Sequence, residues 1–169
     1  MRHERLRSAA VLAAFVGIAY AAAALGTIAT IQNVDGWYAE AAKVPWTPPN
    51  AVFGPVWTVL YALMAVAAWF VWRERDARPV PVRRALTAYV IQLALNAIWT
   101  PVFFGLYPTL GPAALWLAVV IIVLLDAAVI ATVVLAARVR PLPAWLLAPY
   151  LAWCLFATTL CIGTAVLNS

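Results

Sequence analysis

Charge is scarce in this chain. Only 10% of its 169 residues are Asp, Glu, Lys or Arg, against 67% hydrophobic, and the mean hydropathy is +0.96. A soluble domain of this size has too little polar surface to cover such a composition, so lipid must be the solvent for most of it. Groups that carry chemistry are scarce as well. The one histidine, His3, lies in the terminus, so there is no Ser-His-acid set and no His-based metal cluster. The glycines form no phosphate-cradling loop. Cys154 and Cys161, the only cysteines, share one helical run and lie too far apart along its axis to close a disulfide, so both read as small buried hydrophobes. Conventional hydrolysis and metal chemistry are set aside, and no cofactor is expected to be required.

Long apolar runs are abundant. Five of them, at about 9–31, 50–72, 84–105, 111–137 and 142–167, reach the ~20 residues that cross a hydrocarbon core as a helix. Uninterrupted apolar runs do not suit the alternating strands of a barrel. The expected fold is therefore an all-α integral membrane protein, one five-helix domain over residues 1–169. The basic residues agree with that count. Arg2, Arg5 and Arg7 precede the first span, Arg73, Arg75, Arg78, Arg83 and Arg84 lie between spans two and three, and Arg138 and Arg140 lie between spans four and five. Five spans put all of these on one side and leave Lys43 alone on the other. The positive-inside rule then places the N-terminus in the cytoplasm and residues 32–49 outside. The net charge of +5 reflects topology and lipid headgroups, with no signature of nucleic-acid binding. The N-terminal run is too long for a signal-peptide core and reads as an uncleaved first span.

Proline and aromatic residues gather where the chain leaves the bilayer. The segment WYAEAAKVPWTPPNAVFGPVW, residues 37–57, holds Trp37, Tyr38, Trp46 and Trp57 among four prolines. Thr47-Pro48-Pro49-Asn50 is a helix-start signal, and Pro45 and Pro48 stop the preceding residues from extending a helix outward. Aromatic residues at headgroup level can be a simple interfacial belt. A belt needs no proline-stiffened loop, which favours a lid made of Trp37, Tyr38, Trp46, Pro48 and Pro49.

Three features point beneath that loop. Pro55, Pro101 and Pro149 each delete a hydrogen bond within a span and are expected to kink it. Aromatic and amide side chains recur at helical spacing: Phe53, Trp57 and Tyr61 in span two, Gln92, Asn96, Trp99 and Phe103 in span three, and Trp153, Ala157, Leu160 and Cys161 in span five. Such stripes serve as core or as the wall of a site. Gln92 and Asn96 need polar partners in lipid, either each other or a ligand group. Asp126 is the carboxylate in the middle of a span, where charge costs several kcal/mol. It is either functional, or protonated against a neighbouring hydroxyl or carbonyl, or turned to water. Small residues form two stripes in span one, Ala13–Gly17–Ala21 and Ala22–Gly26, which suit packing in the bundle or a dimer contact.

The blocks WYAEAAKVPWTPP, VFGPVWTVLY, QLALNAIWTPVFFGLY and PYLAWCLFATTL, in this order, resemble the signature blocks of the TspO/MBR family. Its members are the tryptophan-rich sensory proteins of bacteria and the translocator proteins, or peripheral benzodiazepine receptors, of mitochondria. The resemblance implies a five-helix bundle whose first loop closes over a ligand pocket, and a homodimer. It implies binding of a porphyrin such as protoporphyrin IX, or a similar flat aromatic ligand, by a receptor or sensor that regulates tetrapyrrole levels. Light-dependent porphyrin breakdown and tetrapyrrole or lipid transport are the alternatives. By match within the blocks the pocket would include Asn50, Phe53, Trp57, Asn96, Trp99, Trp153, Ala157 and Leu160, to which the stripes add Tyr61 and Phe103. Tyr38 and Trp153 resemble the pair associated with porphyrin photochemistry. Porphyrin propionates would lie toward the outer mouth, where Lys43 either meets them or stays solvated. Two departures stand out. Leu160-Cys161 replaces a usual Leu-Asn and removes an amide from the upper pocket. The Tyr-plus-basic cholesterol motif of animal members is missing from Cys161–Asn168, so recognition of cholesterol by that motif is not expected. The short terminus and this gap point to a bacterial membrane.

Overall fold

The computed structural model describes residues 2–169. Its elements, in order, are α1 (Arg2–Ile31), the short α2 (Trp37–Glu40), α3 (Asn50–Arg73), α4 (Pro79–Thr100), a π-helical turn (Pro101–Gly105), α5 (Tyr107–Leu110), α6 (Pro112–Val139) and α7 (Pro141–Leu167). No strand occurs among the described residues. Five helices are long and apolar enough to cross a membrane: α1, α3, α4 with its π turn, α6 and α7. They form a closed ring in the spatial order α1, α3, α7, α6, α4 and back to α1.

Proline decides where several helices begin. Pro79, Pro112 and Pro141 each occupy the first turn of a helix, where a missing N–H costs nothing. The segment 73–83 therefore contains less turn than its two prolines suggest: α4 already starts at Pro79, and Pro81 still falls within its first turn. Pro101 does not simply kink span three. The helix widens into a π turn over Pro101–Gly105, then breaks at Gly111, whose φ of 56° a residue with a side chain rarely adopts.

The basic end is tied together by named contacts. Arg78 Nη1 donates to the carbonyl of Val139 at 2.6 Å and to that of Arg138 at 3.3 Å, capping the C-terminus of α6. Arg140 pairs with Glu74 at 3.4 Å. The α3–α4 and α6–α7 turns are thus joined to each other. In the interior, close approach of backbones rests on fully buried alanines such as Ala19, Ala65, Ala67, Ala118 and Ala165.

The two amides of span three are both buried, yet they do not bond to each other. Tyr150 Oη stands between them, donating to Gln92 Oε1 at 2.7 Å and accepting from Asn96 Nδ2 at 3.3 Å, while Tyr61 Oη donates to Asn96 Oδ1 at 2.5 Å. The network knits α3, α4 and α7 with no water needed. Asp126 is likewise paired with a neighbour: Thr158 Oγ1 lies 2.7 Å from its Oδ2, across the α6–α7 contact. Tyr150→Phe removes two of the network bonds and should lower stability by about 1–2 kcal/mol, read as an earlier unfolding transition in detergent. Tyr89→Phe, whose hydroxyl has no partner, should leave the transition in place.

Candidate functional site

The loop between α1 and α3 folds back over the end of the bundle opposite the basic turns and is held from both sides. On one side Trp37 Nε1 donates to the carbonyl of Phe104 at 2.8 Å, at the end of the π turn, where helical carbonyls lose their own partners. The Trp37 ring also stacks on Tyr107, with centroids 4.0 Å apart and planes 25° from parallel. On the other side the Asn168 amide bonds the backbone of Ala42 twice: Oδ1 accepts from its N–H at 3.0 Å and Nδ2 donates to its carbonyl at 2.9 Å. Val44 is buried against Gly163, so close that a β-carbon at position 163 would collide with its Cγ1. Trp46 is exposed, and its Nε1 reaches Thr159 Oγ1 at 3.3 Å. Lys43 turns back on the loop itself. Its Nζ donates to the carbonyls of Ala39 and Ala41, both at 3.2 Å, and lies 4.6 Å from the centre of the Tyr38 ring. The loop is in a closed position.

Beneath it lies a cavity of about 760 Å³, walled by α1, α3, the α4–π-turn junction and α7. That volume lies within the range of pockets that enclose a small organic ligand. Of the residues singled out by sequence, Asn50, Phe53, Trp57, Tyr61, Trp99, Phe103, Trp153, Ala157 and Leu160 line it, and Tyr38 forms part of its roof. Flat rings dominate the wall. Trp99 stacks on Phe103 at 5.2 Å, Trp57 lies 5.4 Å from Tyr61, and Phe53 meets Trp153 edge-on at 5.7 Å. The indole N–H groups of Trp99 and Trp153 are buried and have no hydrogen-bond partner. Burial, with Cys161 nearby, pushes the Tyr38 phenol above its ordinary range, so it stays protonated as a donor.

Asn96 is not on the wall. It lies behind Tyr61, with its amide engaged by the two tyrosines already described. Trp37, Trp46, Pro48 and Pro49 hold or shape the lid without lining the cavity. Cys161, which stands where an amide is usual, faces the cavity as its place in the span-five stripe suggests. Thr164, one turn on, and the first helix contribute without such a signal. A whole wall comes from α1, through Tyr20, Ala23, Ala24, Thr27, Ile31 and others. Its only sequence signal is the small-residue pattern, and the structure sorts that pattern into two uses. Ala22 and Gly26 are buried, and a β-carbon at 26 would press on Thr100 Oγ1 at 3.1 Å, whereas Ala13, Gly17 and Ala21 face outward with open space at Gly17. Gly54, one residue before Pro55, also lines the cavity, and a β-carbon there would meet only open space.

These features define the class: a multi-pass α-helical membrane protein with an aromatic cavity under a latched loop. Residues 14–167 match the family model described as TspO/MBR family, and the chain belongs to that family. It is 42% identical over 124 residues to the human translocator protein, covering 73% of this chain and 70% of the relative. It is 37% identical to the tryptophan-rich protein TspO of Archaeoglobus fulgidus, covering 85% of this chain and 88% of that one. It is 36% identical to the tryptophan-rich sensory protein of Cereibacter sphaeroides, covering 92% of both.

The latch gives a direct prediction. Lys43 is the only lysine in the chain, so cleavage by a lysine-specific protease reports on whether the lid is open. Asn168→Ala and Gly163→Ala should each speed cleavage several-fold, and Val44→Ala should restore slow cleavage in the Gly163→Ala background by removing the collision. Unchanged rates in both single variants would mean that neither contact holds the loop.

Proposed function

We propose that this protein is a membrane receptor that binds a porphyrin-type tetrapyrrole, of which protoporphyrin IX is the working example, and so senses or regulates the amount of free tetrapyrrole. The observation that carries the reading is the pair of unpaired indole donors, Trp99 and Trp153, in a wall otherwise made of flat aromatic rings. Buried donors without partners are uncommon and call for an acceptor. A flat aromatic macrocycle with carboxylate arms supplies stacking surface for the rings and acceptors for the donors at once. The word "sensory" in the name of the Cereibacter sphaeroides relative agrees with a signalling role. On this reading the basic end faces the cytoplasm of a bacterial cell, the lid faces outward, and two copies pair in the membrane.

Quenching of tryptophan fluorescence by protoporphyrin IX in detergent tests the proposal. Saturable quenching in the micromolar range or tighter is expected. Ala157→Leu, which takes up space in the cavity, should weaken it about tenfold, and Trp57→Phe should weaken it several-fold. Linear quenching that no variant alters is the mark of porphyrin dissolved in the micelle, and would sink the reading.

One observation favours a second reading, in which bound porphyrin is broken down under light. Tyr38 and Trp153, both electron-rich and oxidisable, line the same cavity. Illumination of the complex in air should then bleach the porphyrin with formation of a product. Trp153→Phe should abolish the product while leaving at least part of the dark binding intact. Bleaching at the same rate in that variant would leave binding as the whole function.

A further inference from the structure

The bundle carries a second concavity at the opposite end from the lid. An open groove of about 570 Å³ runs along the outer face of α4, from the α3–α4 turn down toward the middle of the helix. Its mouth is basic and its length is apolar. At the mouth the Arg75 guanidinium lies 3.7 Å from the centre of the Trp72 ring, and its Nη1 donates to the Trp72 carbonyl at 3.4 Å, so the side chain is held in place. Arg7 approaches the same ring at 5.9 Å. Arg83, on the other side of the mouth, is exposed and has no acidic partner among the described residues. The acids nearby do little to neutralise this mouth. Glu74 is committed to Arg140, and Asp76, 3.2 Å from Arg75 Nη2, has a side chain 83% exposed, a geometry in which ion pairs are weak. Below the mouth the walls are Leu86, Val90 and Ile91, the last two 62% and 51% exposed on a face that lies in the hydrocarbon.

Guanidinium groups at headgroup level above an apolar channel of hydrocarbon depth match one kind of occupant. We propose that this groove binds a single anionic phospholipid, with its phosphate between Arg75 and Arg83 and one acyl chain lying along Leu86, Val90 and Ile91. Each part of the lipid meets its complement: the planar fork of arginine suits a phosphate oxygen pair, and the channel removes chain and wall from competing contacts. A zwitterionic headgroup of the same chain length brings its own cation to the arginines and is disfavoured there. A free phosphate leaves the channel empty. The site is separate from the cavity under the lid, and its occupancy does not depend on what that cavity binds.

Native mass spectrometry of the full-length protein, released from detergent with added phosphatidylglycerol or phosphatidylcholine of identical chains, tests this. The wild type should retain one phosphatidylglycerol and discard phosphatidylcholine. Arg75→Gln/Arg83→Gln should weaken retention roughly thirty-fold, as expected for loss of two interfacial arginine contacts. Thr87→Trp fills the channel from an exposed position without changing charge, and should also release the lipid. Arg2→Gln/Arg5→Gln removes as much charge from the same end but from outside the groove, and should retain the lipid as the wild type does. Equal losses in the two arginine pairs would show diffuse charge attraction and overturn the proposal. So would retention by Thr87→Trp, or equal retention of the two lipids.

Discussion

In hydrocarbon the backbone has no solvent to bond with, and this constraint governs most of what the structure does. It forces each crossing into a helix and turns every proline within a crossing into a problem of lost partners. The chain meets the problem differently in different places. Pro79, Pro112 and Pro141 sit where no donor is missed. Pro101 is followed by a widened turn, and a carbonyl near the end of that turn is used by the Trp37 indole. A local defect in the third crossing is thereby made into the anchor for a loop residue that precedes it by 67 positions in sequence. The closed lid and the irregular helix are one feature seen from two sides.

The same constraint explains the arrangement of polar groups inside the bundle. Gln92, Asn96, Tyr61 and Tyr150 satisfy one another almost completely, and the carboxyl of Asp126 leans on Thr158. Among the described residues four buried polar atoms stay unpaired, Tyr89 Oη, Asp126 Oδ1 and the indole nitrogens of Trp99 and Trp153, and of these only the two indoles belong to residues of the cavity wall.

Much of this was legible in the sequence. The five crossings, the fold family and the aromatic composition of the site follow from run lengths, from arginine placement and from four ordered blocks. Helical spacing fixes a face, so the stripes grouped Phe53 with Trp57 and Tyr61 in span two and Trp99 with Phe103 in span three, while only the family resemblance joined these faces and Trp153 into one pocket. Other parts were not legible, for definite reasons. Tyr150 as the link between two amides depends on the ring order of the helices, which spacing within one helix cannot reveal. The α1 wall is built of alanine, threonine and isoleucine, residues that look alike whether they face lipid, core or cavity. The π turn after Pro101 looks the same in sequence as an ordinary kink. Lys43, which either meets a ligand or stays solvated by sequence, is folded onto the carbonyls of its own loop.

The two ends of the molecule are fastened unequally. At the basic end, Arg78 on the α6 terminus and the Arg140–Glu74 pair join neighbouring turns of the chain directly. At the other end the ring of helices is spanned by a loop held through side chains to the π turn and to the last residues of α7. The loop is therefore the part of that end whose release needs the fewest contacts to part. Those contacts are side-chain contacts outside the helix ladders, so substitutions that remove them loosen the cover of the cavity without touching the backbone bonds that hold the fold.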